Sequence, residues 1–165
     1  MIASSVIRAL LIDAITATGL FEQVAGHARA DLTEALETLR QHQASLAIIA
    51  PGEDEWLHET LPDDNSPLRA ECRNRFEVLI TARELDMDED GVPGCVDLKD
   101  RLCEALLWAP IGPVPGADGP AQAILLPISA EPMILTEEDH RRDDHRRGRE
   151  AWRVTLEARQ TIIQV

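Results

Sequence analysis

The chain has 165 residues, of which 44% are hydrophobic, so it is long enough to form one domain with its own core. Its formal net charge is −14, and only 3% of its residues are aromatic. Such a negative charge repels phosphate backbones, which argues against nucleic-acid binding. Surfaces that bind carbohydrates or single-stranded nucleic acids usually stack on aromatic rings, so the low aromatic content makes both less expected.

The N-terminal part of the sequence predicts helices alternating with short strands. Helical spacing of apolar residues predicts an amphipathic helix from Ala3 to Thr18, and alternation from Leu20 to Val24 predicts a short strand. Asp31, with Glu34 three residues later, has the capping-box pattern that begins a second helix. A short buried strand is expected from Ser45 to Ala50.

An acidic loop is predicted for residues 51–67, because Pro51 and Gly52 form a turn signal and six carboxylates follow by Asp64 without a lysine or arginine. The simpler interpretation is a solvated loop that keeps the protein soluble. The alternative is an acidic surface that faces an anionic neighbour and prevents binding to it by charge repulsion. Trp56 lies in this segment and is expected to be exposed. It either anchors an interface or folds back on its own loop.

The next part of the sequence predicts a long strand and a third helix. Alternating apolar residues predict a strand from Leu68 to Leu85, and a helical apolar stripe predicts a helix from Val96 to Trp108. Trp108 and Trp152 are expected to lie in the core. Residues 109–121 hold four prolines and three glycines, which is typical of an extended loop.

The C-terminal part predicts a hairpin with a charged tip. A strand is expected from Ala123 to Ile128, where Pro127 requires a sheet edge or a bulge. Residues 137–150 are densely charged and form the hairpin tip, and a closing strand runs from Ala151 to Ile163. The predicted fold is a single α+β domain over residues 1–165. Its mainly antiparallel sheet has four to five strands, with two to three helices packed on one face and a long charged hairpin.

Four aspartates have the spacing of a calcium-binding loop. Asp86, Asp88 and Asp90 precede a glycine, and Asp97 falls at the twelfth position. However, the preceding segment is predicted to be a strand rather than a helix, and Pro93 occupies the eighth position. We therefore favour a turn in which Asp97 supports the helix N terminus. A small calcium-binding module is the alternative, and otherwise no metal or other cofactor is expected.

The sequence contains no pattern typical of nucleophilic catalysis, of a zinc protease or of a phosphate-binding loop, so the protein is not expected to be an enzyme. His140 and His145 lie in the charged tip and could bind a metal, which leaves a small metal-dependent enzyme as another alternative.

The cysteines and the first apolar stretch indicate in which cellular compartment the protein is expected. Cys72, Cys95 and Cys103 are odd in number and have no metal-binding spacing, which favours free thiols in a reducing cytoplasm. The first apolar stretch contains an aspartate and follows no basic run, so neither a signal peptide nor a membrane span is expected.

Five segments together carry a resemblance to a known family. They are Leu20–Gly26 before the helix at Asp31, the short strand Ala47–Pro51, the central strand Arg75–Arg83, the helix Val96–Leu102, and the closing strand Trp152–Leu156. In this order they resemble the tail terminator and tail-completion proteins of tailed bacteriophages. The resemblance covers nearly the whole chain, as a pattern rather than as identity.

The resemblance implies a virion structural protein that is assembled in the host cytoplasm. Copies of the subunit would form a homohexameric ring that caps the finished tail tube and joins it to the connector, or neck, proteins, with a sheath as a possible further neighbour. DNA would pass through the lumen without specific binding, and no membrane would be involved. The family has no catalytic residues, and another neck or baseplate ring subunit of the same fold is the alternative.

A subunit contact is predicted from charge. Trp56 is one candidate anchor, and the arginines of the charged tip are the other candidates, namely Arg141, Arg142, Arg146 and Arg147. We expect these arginines to pair with an acidic loop of the adjacent subunit or ring.

Overall fold

The computed structural model describes residues 2–26, 45–58, 68–82, 91–112, 123–133 and 150–164. In chain order the elements are α1 (Ser4–Ala17), β1 (Gln23–Gly26), β2 (Leu46–His58), β3 (Leu68–Ala82), α2 (Cys95–Leu106), β4 (Pro110–Ile111), β5 (Ala123–Met133) and β6 (Glu150–Gln164). The helix predicted from Asp31 lies outside the described residues.

The strands form one sheet in the order β1-β2-β3-β6-β5-β4. Only β1 and β2 are parallel, and the other neighbours are antiparallel. The α+β class with a mainly antiparallel sheet is therefore confirmed, but the predicted four to five strands are too few, because the described part of the chain contains six. The strand that was missed is β4, whose two residues are too short to show a period.

Both described helices pack on the same face of the sheet. Their buried faces meet one apolar row from each of the central strands, and the largest buried side chains of this core are Ile7, Leu11, Ile15, Phe76, Ile80, Leu98, Leu102 and Leu106. A smaller cluster of Leu46, Ile48 and Leu79 lies separately, with Met133 packed against it. Since neighbouring residues of a strand point to opposite faces, Leu79 lies across the sheet from Ile80.

The predicted acidic loop is wrong for residues 51–58, because β2 continues to His58. The turn signal of Pro51 and Gly52 is absorbed by an irregularity in the β2–β3 register between Pro51 and Asp54. Gly52 is needed there, since a Cβ at this position would lie 2.9 Å from the backbone oxygen of Arg75. Residues 59–67 lie outside the described part of the chain.

Two further boundaries differ from the predictions. Pro110 and Ile111 form β4 with Ile124 and Ala123, so the proline- and glycine-rich segment begins with a strand pair rather than as a loop. Its residues 113–121 lie outside the described ranges. β5 is longer than predicted and runs to Met133, and its register with β6 shifts between Pro127 and Ser129, in line with the expectation of a sheet edge or a bulge at Pro127. Residues 137–149 of the predicted hairpin tip are not described, and residue 150 already begins β6.

Candidate assembly surface

The far half of β2 carries an exposed tryptophan. This segment, Asp54–His58, is here named the β2 extension, and it pairs with β3 beyond the point where β1 pairs with β2. Trp56 is 45% exposed, so its predicted exposure is confirmed. Leu57 is also exposed, and because strand neighbours alternate, the two side chains lie on opposite faces of the sheet.

The edge of the β2 extension is acidic. Within the described residues it is unpaired on the side away from β3, because β1 reaches only as far as Ile49. Asp54 and Glu53, the residue just before the extension, are exposed, and Asp54 also accepts a hydrogen bond of 2.9 Å from the side-chain amide of Asn74. Charged side chains on an open edge oppose unspecific pairing with another strand, so this edge favours a partner with positive charge.

The face of the sheet opposite Phe76 and Leu156 is charged, and its centre is Glu157. The side chain of Glu157 is only 2% exposed, yet three guanidinium groups surround it. Its oxygens lie 2.6 Å from Arg159 Nε, 3.2 Å from Arg75 Nε and 3.9 Å from Arg73 Nε. A carboxylate so deeply placed is stable only because these partners replace the water that it has lost.

Burial by itself would raise the pKa of Glu157. Hydrogen bonds from Arg159 and Arg75, together with the positive charge of Arg73, outweigh burial and hold the pKa below its usual range. Glu157 is therefore charged at neutral pH.

Further ion pairs extend this charged face across the sheet. Arg73 Nε lies 2.5 Å from Glu71 and Arg75 Nη2 lies 3.2 Å from Glu55, while Arg153 pairs with Glu131 and lies 3.9 Å from Glu77. Counting Glu157 and Arg159, four arginines face five glutamates. The arginines are thus neutralised within the subunit, and this face offers little positive charge to a phosphate backbone.

A second exposed tryptophan lies after α2. Trp108 is 66% exposed and Leu107 is exposed beside it, so the predicted core position of Trp108 is wrong. The reason is that the buried stripe of α2 ends at Leu106, and the chain then turns away from the core toward β5. Trp152 differs, since it packs against the core with Lys99 Nζ 4.5 Å from its ring centroid.

The turn that carries Trp108 is fixed by backbone hydrogen bonds. Trp108 N–H donates to the oxygen of Leu125 at 3.0 Å, and the N–H of Leu125 donates to the oxygen of Ala109 at 2.9 Å. The φ of Trp108 is 62°, a conformation that is uncommon for any residue other than glycine. The backbone that carries this exposed indole is therefore fixed in an unfavourable conformation.

The remaining predicted site residues are largely untested. Asp97 is in the first turn of α2, where its carboxylate accepts a hydrogen bond of 3.3 Å from the N–H of Gly94. Its calcium-loop companions lie outside the described residues, as do the histidines and the four arginines of the charged tip: Asp86, Asp88, Asp90, His140, His145, Arg141, Arg142, Arg146 and Arg147. Within the described ranges no three potential metal ligands come together.

The paired face around Glu157 was missed from the sequence, although a signal for it exists. Charged residues recur every second position in β3 at Arg73 and Arg75, and in β6 at Glu157 and Arg159. Antiparallel pairing of these two strands would have predicted a ladder of opposite charges. Predicting this ladder requires knowing which residues of β3 and β6 lie opposite each other, and the sequence alone does not give that register.

No protein-family model matches the chain, and no curated protein matches it either. None of the helices within the described ranges is long and apolar enough to cross a membrane.

Proposed function

We propose that this protein is a structural subunit that assembles with copies of itself into a ring. The observation that carries the proposal is the exposure of Trp56 and Trp108, two of only three tryptophans in the chain. Large aromatic side chains on a fixed backbone are the residues that most often anchor protein interfaces. The backbone at Trp56 is held by strand pairing, and the backbone at Trp108 is held by a hydrogen bond to Leu125.

The kind of ring is proposed from the resemblance to phage tail terminators. A mainly antiparallel sheet with helices on one face is compatible with that family. In this proposal the hexameric ring caps the tail tube and contacts neck proteins, while DNA crosses the lumen. The net charge of −14 supports passage without binding, since phosphates are repelled. Another neck or baseplate ring subunit would use the same surfaces.

The proposal is tested by removing each tryptophan and measuring assembly. Trp108→Ser and Trp56→Ser are compared with Val92→Ser, which also removes an exposed apolar side chain but not an aromatic one. Sedimentation velocity over a range of concentrations gives the dissociation constant of the assembly. We expect at least one tryptophan variant to raise that constant by roughly tenfold or more, as for a hot spot, and the valine variant to leave it unchanged. Equal behaviour of all three variants would contradict the proposal.

A further inference from the structure

The two exposed tryptophans lie at opposite edges of the sheet. Trp56 is in the β2 extension, whose edge away from β3 has no neighbouring strand among the described residues. Trp108 lies beyond β5 on the side away from β6, because its N–H donates to the oxygen of Leu125 at 3.0 Å and the chain then continues into β4. Strands β3, β6 and β5 therefore separate the two residues.

The two tryptophans also lie at nearly the same height along the strands. Trp56 is opposite Cys72, which is opposite Gln160 in β6. Leu125, which binds the second tryptophan, is opposite Ala158, two residues before Gln160. Four inter-strand steps of about 4.8 Å place the tryptophans roughly 19 Å apart along the sheet. Because the two edges of a sheet face away from each other, one flat surface of a partner cannot contact both, and the tryptophans anchor two separate contacts.

The two edges differ in charge. Glu53 and Asp54 are exposed close to Trp56. By contrast, residues 107–111, here named the Trp108 turn, contain no charged side chain, and they expose Leu107 together with the indole. If two copies met through their β2 extensions, the carboxylates would face like charges, which destabilises such a contact. The β2 extension is therefore better suited to the Trp108 turn than to a second β2 extension.

We propose that the β2 extension of one copy contacts the Trp108 turn of the next copy. Each contact then contains Trp56 from one subunit and Trp108 from its neighbour, and every subunit uses both edges of its sheet. Such a contact joins two different surfaces, so it continues from copy to copy and can close into a ring. The inference rests on the proposed self-assembly and adds to it the two surfaces that meet.

Mixing two single variants tests which surfaces meet. Trp56→Ser keeps the Trp108 turn intact and Trp108→Ser keeps the β2 extension intact, so each variant alone lacks one tryptophan in every contact. In an equimolar mixture one intact contact can form between the two variants, but the remaining edges of that pair both lack their tryptophan. We expect a mixed dimer and no ring, with a dissociation constant at least about tenfold lower than for self-association of either variant alone.

The mixed dimer is identified by native mass spectrometry with one variant isotope-labelled, so that it differs in mass from the dimers of a single variant. Sedimentation velocity of the same mixtures gives the dissociation constants. As a control, a double variant with both substitutions replaces either partner, which leaves no intact contact and should abolish the mixed dimer. Circular dichroism checks folding, and if Trp56→Ser unfolds, Trp56→Thr takes its place, since threonine suits a strand.

Two different failures have different meanings. If wild type assembles but the mixture associates no more tightly than the single variants do, the two tryptophans do not meet, and the proposed pairing is wrong although self-assembly stands. If wild type stays monomeric at every concentration, self-assembly itself is contradicted, and the pairing with it.

Discussion

Glu157 shows how one residue can be buried with its charge intact. Its carboxylate receives hydrogen bonds from Arg159 and Arg75, while Arg73 lies within 3.9 Å. Removing the negative charge of Glu157 takes one carboxylate partner from each of the three arginines, although Arg73 keeps Glu71 and Arg75 keeps Glu55. Breaking a buried ion pair from one side costs more than the pair contributes as a whole. The stability of the sheet should therefore depend on this carboxylate.

We expect Glu157→Gln to lower the free energy of unfolding by about 3 kcal/mol, because a neutral amide cannot balance three guanidinium groups. Glu131→Gln is the matched control on the same face, where the carboxylate is half exposed and pairs with Arg153, and its cost should stay below about 1 kcal/mol. Urea unfolding followed by circular dichroism measures both. Equal costs would show that burial of the pair is unimportant.

The same pair of proteins gives a pH dependence with a defined sign. The pKa of Glu157 is lowered in the fold from an ordinary value of 4.5, so its contribution is fully present above pH 4.5 and is lost as pH falls through the lowered value. The difference in unfolding free energy between wild type and Glu157→Gln should stay constant from neutral pH down to about pH 4.5 and shrink below it. A difference that grew on acidification would contradict this sign.

Trp108 combines exposure with a positive φ, so it contributes little to the stability of the subunit. We expect Trp108→Gly to change the free energy of unfolding by less than about 1 kcal/mol, since relief of the backbone offsets the lost contacts and the added freedom of the unfolded chain. Leu106→Ala, two residues earlier but buried, should cost about 2–5 kcal/mol. If thermal or urea unfolding shows that Trp108→Gly lowers the free energy of unfolding by as much as Leu106→Ala does, the indole stabilises the core of the subunit, which would contradict its assignment to an interface.

At the scale of elements, the sequence predicted what a local pattern can specify. α1 and α2 were found within about two residues of their ends, and the apolar alternation of β3 around Phe76 and Ile80 is confirmed. β2 was cut short at Pro51, because pairing with β3 overrides a turn signal once a bulge can absorb it. Trp108 was misplaced because the helical stripe was continued beyond Leu106.

Two prolines lie in β5, and they reduce the number of N–H groups that its edge away from β6 offers to another strand. Leu125 directs its N–H and oxygen toward the turn after α2, and Pro127, two residues later, offers no N–H in that direction. Pro132 also lacks a donor, so the part of this edge beyond the pairing with β4 is poorly suited to receive another strand.

Replacing both Pro127 and Pro132 with valine should therefore open the edge to unspecific strand pairing. We expect the double variant to form aggregates that bind thioflavin T, whereas Ala130→Val, which adds the same side chain between the prolines, stays at the wild-type level. Fluorescence during prolonged incubation measures this. If the double variant showed no more thioflavin T fluorescence than wild type, the prolines would not be what prevents strand pairing at this edge.

At the scale of the whole molecule, the charges are arranged in two different ways. The central face pairs its arginines with glutamates inside the subunit, while Glu53 and Asp54 are exposed where β2, within the described residues, has no second neighbouring strand. The arginines of the charged tip are the residues that we predict, from their charge, to pair with an acidic neighbour. Their pairing remains a prediction, since sequence gives their charge but neither their position nor a partner.

We expect Arg141→Glu combined with Arg142→Glu to weaken assembly by tenfold or more, and more so at low salt, because like charges would then face each other. Arg101→Glu, at an exposed position on α2, is the single-site control, and it should leave the dissociation constant unchanged. The dissociation constant from sedimentation velocity at two ionic strengths decides this. Unchanged assembly would remove the charged tip from the interface.

Self-assembly into a ring is the central claim, and the mass of the wild-type protein tests it most directly. Light scattering across a wide concentration range, with negative-stain imaging of the same samples alone and mixed with phage tail tubes, gives mass and shape together. We expect a ring of six subunits, or a monomer that becomes a ring on the end of a tube. A protein that remains a monomer at every concentration and ignores the tubes would contradict the claim.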